Sequence, residues 1–231
     1  MIQLAVFDLA GTTVVDNNYV AMAFRKAFQQ HGFDVEEAEV APLMGYPKPL
    51  AIQMVLERHG EEVDNEIIDD VHTSFVEEML DFYEYSPEVK PTAGAEDIFL
   101  FLKEKGIKIA LNTGFSRNIA DVIVGRFQWK ERGLVDAYIG SDEVPEGRPS
   151  ADMIQTLKEQ LNVPDNADVM KIGDTIVDIL EGRNAGCAFI VAVTTGAASQ
   201  NELEAHHPTH LIHHLNEIAT IVSDCLQPTA Q

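Results

Sequence analysis

Five short runs rich in β-branched and apolar residues punctuate the chain, at Ile2 to Phe7, Ile107 to Leu111, Ala137 to Ile139, Val169 to Ile172 and Phe189 to Val193. Each ends abruptly in polar residues, and helix-period stretches lie between them. Strands that alternate with helices pair in parallel through crossover connections, so the expected fold class is α/β, a doubly wound parallel sheet with helices on both faces. One interval breaks the rhythm. Between the first and second runs lie roughly ninety residues with no convincing strand, carrying instead YVAMAFRKAFQQHGF, PLAIQMVLERHG and IIDDVHTSFVEEMLDFYE. These read as an inserted all-helical cap domain, residues 16–89, on a core made of residues 1–15 and 90–231. In SPEVKPTAGAEDI, Pro87 and Pro91 stop one helix, and Ala95 onward starts the next.

Length and charge bound what such a chain does. At 231 residues with 45% apolar content, one domain plus an insertion has enough material for a sizeable core. The net charge of -22, from 38 acidic and 16 basic residues, argues against a nucleic-acid or anionic-membrane surface, so an anionic substrate has to be held locally. No stretch of about 20 apolar residues exists to cross a bilayer. Cys187 and Cys225 show neither metal-ligand spacing nor a disulfide framework, and are read as ordinary buried thiols of a reduced, cytoplasmic protein.

In a doubly wound sheet the ligand site forms beyond the carboxyl ends of the strands. The residues there are Asp8, Asn112-Thr113-Gly114, the loop from Glu143 to Arg148, and Gly173-Asp174. Asp8 and Asp174 offer carboxylates to a hard cation such as Mg²⁺. Thr113 and the amides around Gly114, at a helix start, are suited to grip an anion, and Arg148 adds a fixed positive charge. Together they describe phosphoryl handling. Glu143 is expected to order its own loop rather than touch substrate.

The motifs Asp8-Leu-Ala-Gly-Thr12, Leu-Asn-Thr113-Gly, Arg148 and Gly-Asp174-Thr-Ile-Val-Asp178 lie in order on both sides of the insert. In this the chain resembles the haloacid dehalogenase-like hydrolases, whose core is Rossmann-like. The resemblance implies that Asp8 is a covalent nucleophile forming a phosphoaspartyl intermediate, and that Mg²⁺ is held by Asp8, the carbonyl of Ala10 and Asp174. The residues expected to bind the substrate or its phosphate are Thr12, Met44, Gly45, Thr113, Gly114 and Arg148, while Asp178 either reaches the metal through water or, in the reading adopted, orients Arg148 or Lys48 from behind. Most phosphatases of this superfamily carry a second aspartate where Ala10 stands. A methyl group donates no proton, and general acid catalysis is worth roughly 10²- to 10⁴-fold.

Within the superfamily, Asp8-Leu-Ala-Gly-Thr-Thr13, Glu146-Gly-Arg-Pro149 and Gly173-Asp-Thr-Ile-Val-Asp-Ile-Leu-Glu-Gly-Arg-Asn-Ala-Gly186 are similar to the phosphonoacetaldehyde hydrolases, and Met44-Gly45-Tyr-Pro-Lys48 extends the likeness into the insert. In that family the lysine at this place condenses with the substrate aldehyde, and the iminium draws off the electrons left when the carbon-phosphorus bond breaks. Pro49 suits the first position of a helix, which puts Lys48 at its positive end, where an amine loses its proton more readily. The chain departs from the family three residues beyond the lysine, where Ala51 replaces a histidine and the nearest histidine is His59.

The resulting expectation is a carbon-phosphorus hydrolase of a small carbonyl phosphonate. The alternatives are a Mg²⁺-dependent phosphatase of a small phosphorylated metabolite with Lys48 as anion binder, a dehalogenase, and a non-catalytic module. His206 to His214 is read as an edge strand around Leu211 and Ile212, and the run from Glu61 to Glu66 as a helix start. The apolar face of the first insert helix, Val20, Phe24 and Phe28, fits either the core of the insert or a homodimer contact.

Overall fold

The computed structural model describes residues 2–60 and 64–226. Strand β1, Leu4–Phe7, leads into four helices: α1, Tyr19–Gln30; α2, Glu37–Val40; α3, Lys48–Arg58; and α4, Asn65–Tyr85. Strands and helices then alternate as α5, Ala95–Glu104; β2, Lys108–Asn112; α6, Arg117–Phe127; β3, Ala137–Ile139; α7, Asp152–Gln160; and β4, Val169–Gly173. The chain continues through α8, Ile176–Asn184; β5, Phe189–Val193; α9, Gln200–Ala205; β6, His210–Ile212; and α10, Ile218–Leu226. The expected alternation, the helical interval and the late edge strand are all present.

All six strands are parallel, in the order β3-β2-β1-β4-β5-β6. The central strands β1 and β4 are buried along their whole length, which is why they read as unbroken apolar runs rather than as alternation. Side chains still alternate between the faces. Ala5 and Phe7 join one buried cluster with Phe99 and Trp129, while Leu4 and Val6 join another with Met153, Leu157 and Ile179.

The insert has its own packing logic. Val20, Phe24, Ala27 and Phe28 recur at helical spacing and are buried, and Phe24 meets Phe75 of α4 edge to face at 5.7 Å. That apolar face therefore belongs to the insert's core. Asp64 caps α4 by accepting from the Ile67 amide at 2.9 Å, as the acidic run suggested, although Glu61 to Val63 lie outside the described residues. Among the described residues, no helix is long and apolar enough to cross a membrane. Cys187 is buried as expected, but Cys225, one residue from the end of α10, is exposed although it stands at helical spacing from Ile218, Ile221 and Val222.

Candidate active site

From β1 the chain runs outward to β2 and β3, then returns to β4 on the other side of β1. The reversal opens a crevice at the carboxyl ends of β1 and β4, and Asp8 and Asp174 stand immediately beyond those two ends. Register brings the tips level: Phe7 pairs with both Leu111 and Ile172, and the Asp8 amide donates to the Ile172 carbonyl at 2.9 Å.

Asp8, Ala10, Asp174, Thr113 and Gly114 line one side of a narrow cleft there. The insert supplies the other side through Asp16, Val20, Met44, Gly45 and Lys48, with Phe115 between the two. The free interior is about 30 Å³. Gly114 lies so close to the insert that a side-chain carbon on it would stand 2.6 Å from the Tyr46 carbonyl oxygen and 2.8 Å from that of Gly45. Only glycine permits this approach of backbone to backbone.

Asp8 is held from behind. The Arg148 guanidinium, 1% exposed, donates through Nη1 to Asp8 Oδ1 at 2.6 Å and through Nη2 to the Asn112 carbonyl at 2.7 Å. Its Nη1 also lies 3.0 Å from Asp178 Oδ1, and its Nε lies 3.0 Å from Glu181 Oε2. Arg148 thus holds Asp8 in place and does not line the cleft itself. Thr12 also stays out of the lining, because its hydroxyl donates to Asp174 Oδ1 at 2.8 Å. Asp174 takes a second bond at Oδ2 from the Ala197 amide, at 2.8 Å.

The Thr175-Ile-Val-Asp178 stretch closes as a capping box at the start of α8, with the Thr175 amide and hydroxyl donating to Asp178 Oδ2 at 3.1 and 2.6 Å. This turns Asp178 Oδ1 toward Arg148 and, at 2.9 Å, Lys171. Asp178 Oδ1 therefore faces Arg148 and Lys171 and makes no ion pair with Lys48. Glu143 orders its loop by accepting from the Gly140 amide at 2.8 Å and pairing with Arg117 at 3.0 Å. The helix after Thr113 begins later than expected, at Arg117, and Thr113 Oγ1 instead accepts from the Phe115 amide at 3.2 Å.

Lys48 is the first residue of α3, with Pro49 second, one place along from the expected arrangement. Its side chain is 2% exposed, and its Nζ lies 5.7 to 5.9 Å from the ring centres of Phe24, Phe75 and Phe115. Burial in this aromatic box pushes the amine down to about 8, against the opposing pull of Asp8. Burial likewise pushes the Asp8 carboxyl up to about 6 in spite of Arg148. It also holds Asp174 well above the usual carboxylate range, with the Asp8 charge adding to the effect. At Asp178 the charges of Arg148 and Lys171 outweigh burial and keep the carboxyl below its ordinary value.

Comparison with known proteins places this arrangement. A family model described as haloacid dehalogenase-like hydrolase matches residues 2–186. The chain belongs to the haloacid dehalogenase-like hydrolases. It is 30% identical over 212 residues to a phosphonoacetaldehyde hydrolase of Bacillus cereus, covering 85% of this hydrolase and 77% of the relative. It is equally similar to one of Bacillus mycoides over 229 residues, covering 91% and 84%. Among solved structures, a hydrolase from Pseudomonas syringae shares the fold with a TM-score of 0.86 at 16% identity, over 97% of this chain and 100% of that one. A phosphonoacetaldehyde hydrolase-like protein from Oleispira antarctica does so with a TM-score of 0.81 at 23% identity, over 96% and 92%.

Two residues of this hydrolase's site escaped the sequence reading. Lys171 sits fully buried in the middle of β4, donating to Asn112 Oδ1 at 2.7 Å and facing Asp178 and Glu181. Its signal was a lysine inside the apolar run Val-Met-Lys-Ile-Gly, which a buried strand tolerates only with partners. Asp16 lines the cleft beside Lys48, and nothing in Val-Val-Asp-Asn-Asn distinguished it from a solvated turn.

Proposed function

We propose that this hydrolase cleaves the carbon-phosphorus bond of a small carbonyl phosphonate such as phosphonoacetaldehyde, with residues 16–89 acting as a cap over the core of residues 1–15 and 90–231. The observation that carries the reading is a buried lysine facing the same cleft as Asp8, where Ala10 supplies no acid. In this reading Lys48 condenses with the substrate carbonyl. Asp8 attacks phosphorus, and the electrons of the breaking carbon-phosphorus bond flow through the iminium carbon to nitrogen, so no proton has to reach an oxygen leaving group. The name of the Bacillus relatives agrees with this chemistry.

The charges fit a divalent cation. Four buried carboxylates, Asp8, Asp174, Asp178 and Glu181, face two buried cations behind the cleft, Arg148 and Lys171, and the two hydrogen bonds to Asp174 come from neutral groups. Even with Lys48 across the cleft counted as a third cation, negative charge is left over, and the all-oxygen donors suit Mg²⁺, which Asp8, the Ala10 carbonyl and Asp174 would hold. Among the described residues no third His, Cys, Asp or Glu completes a metal-binding group with them. When bound, the cation screens the repulsion between Asp8 and the phosphoryl oxygens. Arg148 keeps Asp8 aimed, and Thr113 and Gly114 offer polar groups to the phosphoryl end. Met44 and the aromatic box keep water from Lys48. A free interior of about 30 Å³ holds only about two waters, so substrate access requires the insert to swing away from the strand tips.

Turnover of phosphonoacetaldehyde, other carbonyl phosphonates and simple phosphate esters, each with and without Mg²⁺, tests this reading. Carbonyl phosphonates are expected to be the preferred substrates, with dependence on Mg²⁺. Lys48→Arg keeps the charge and cannot form an imine, so it is expected to lose at least about 10²-fold in turnover. Ester turnover that survives Lys48→Arg would replace the phosphonate reading with a Mg²⁺-dependent phosphatase in which Lys48 binds anions.

A further inference from the structure

We propose that Asp16 is the proton carrier for Lys48, the carboxylate that takes the proton of the ammonium before attack and returns it to the hydroxyl that leaves the carbinolamine. The inference rests on the Schiff-base reading above and identifies a catalytic residue that this reading lacks.

Among the described residues, four ionisable side chains line the cleft: Asp8, Asp16, Lys48 and Asp174. Asp8 is engaged by Arg148 and directed at phosphorus, and Asp174 is tied to Thr12 and the Ala197 amide. Asp16 remains. Its Oδ1 accepts from the Tyr19 and Val20 amides at 2.7 and 3.2 Å, which fixes the carboxylate at the start of α1, and Oδ2 accepts no hydrogen bond from the described residues. A half-buried carboxylate with one oxygen anchored and the other free, lining the same cleft as a buried amine but not paired with it, has the form of a general base that acts across the cleft, on closure or through one water. Burial raises the Asp16 carboxyl above the ordinary aspartate value, so it holds a proton more readily than a solvated one.

The other candidates lie elsewhere. Ala51 occupies the place of the family's histidine, and His59 is engaged with Glu39 at 2.9 Å beyond the far end of α3. His72 and Tyr83 of α4 do not line the cleft.

The proton count closes. The Lys48 ammonium gives one proton to Asp16, and the neutral amine attacks the carbonyl carbon. A proton shift from nitrogen to oxygen leaves the carbinolamine with N–H and O–H. Asp16 then protonates that hydroxyl, which departs as water while the nitrogen lone pair forms the C=N bond of the iminium. The carboxylate is restored and no other reactant is consumed.

The test monitors the imine directly. Enzyme in excess over phosphonoacetaldehyde, with Mg²⁺, is quenched with borohydride at timed intervals, and the adduct on Lys48 is quantified by peptide mass. Asp16→Asn keeps an oxygen for the Tyr19 and Val20 amides but cannot carry the proton, and adduct formation is expected to slow by about 10²-fold or more. The sign separates this role from mere charge tuning. The Asp16 charge holds the proton on Lys48, so its removal alone would leave the amine neutral more often and speed the reaction. Asp16→Ser, which also retains a capping oxygen, is measured alongside, and the variant whose melting temperature lies nearer the parent's decides. Adduct formation at the parent's rate or faster in that variant would overturn the proposal. Absence of any Lys48 adduct in the unsubstituted enzyme would remove the Schiff-base reading itself, and this inference with it.

Discussion

Arg148 Nη1 lies 2.6 Å from Asp8 Oδ1, while Nε of the same guanidinium lies 3.0 Å from Glu181 Oε2. One planar cation therefore connects the proposed nucleophile to the carboxylates beneath the strand tips. A lysine ammonium offers a single point of charge and cannot hold Asp8, the Asn112 carbonyl and Glu181 together. Arg148→Lys is expected to lower turnover by about 10²-fold through misplacement of Asp8, with the far-ultraviolet circular dichroism unchanged. Steady-state kinetics with a carbonyl phosphonate provide the measurement.

The Lys48 amine, pushed down to about 8 by burial, sets a pH signature. Only the neutral amine attacks a carbonyl, and a depressed value means that the proton leaves at lower pH than from a solvated lysine. Adduct formation should fall above about 8, where the amine no longer brings Asp16 the proton that the carbinolamine hydroxyl needs, rather than persist toward about 10.4 as for an exposed lysine. Borohydride quenching across that range gives the profile, and adduct formation undiminished past pH 10 would contradict the buried amine.

Lys171 predicts a stability effect in place of a catalytic one. It is fully buried between Asp178 and Glu181, so Lys171→Met leaves both carboxylates short of a cation, at a cost of about 3–5 kcal/mol. Urea unfolding should show the loss. Adding Glu181→Gln, which removes one of the stranded charges, should recover part of it, and additive losses would mean that the pair does not interact.

Ala10 lines the cleft and is only half-buried, which leaves space on the cleft side of the β1 tip. Ala10→Asp should therefore fold normally, with a melting temperature close to the parent's in Mg²⁺, and gain about tenfold or more in phosphate-ester turnover by supplying an acid. A large drop in melting temperature would show that the methyl group is packed in place.

The architecture was legible because the strands that carry Asp8 and Asp174 are buried on both faces and so appear as apolar runs with abrupt ends. The directions taken by side chains beyond those ends were not legible. Thr12 and Arg148 stand at motif positions that suggest substrate contacts, yet the fold directs Thr12 to Asp174 and Arg148 behind Asp8, choices made by neighbours far away in the chain. Lys171 was hidden for the same reason, since its partners Asn112 and Glu181 come from β2 and α8. The depressed amine of Lys48 was anticipated from the helix end, but its main cause is burial among aromatic rings from three separate helices and loops, a relation that spacing along the chain does not encode.

Gly114 and the carbonyl oxygens of Gly45 and Tyr46 meet backbone against backbone where the insert touches the strand tips. A seam of that kind is indifferent to the identity of the side chains around it. A residue such as Val20 is then free to diverge and reshape the enclosed space, while the backbone contact between insert and strand tips stays the same. The chamber and its latch are separate inventions, and a new substrate can be accommodated by altering the first without redesigning the second.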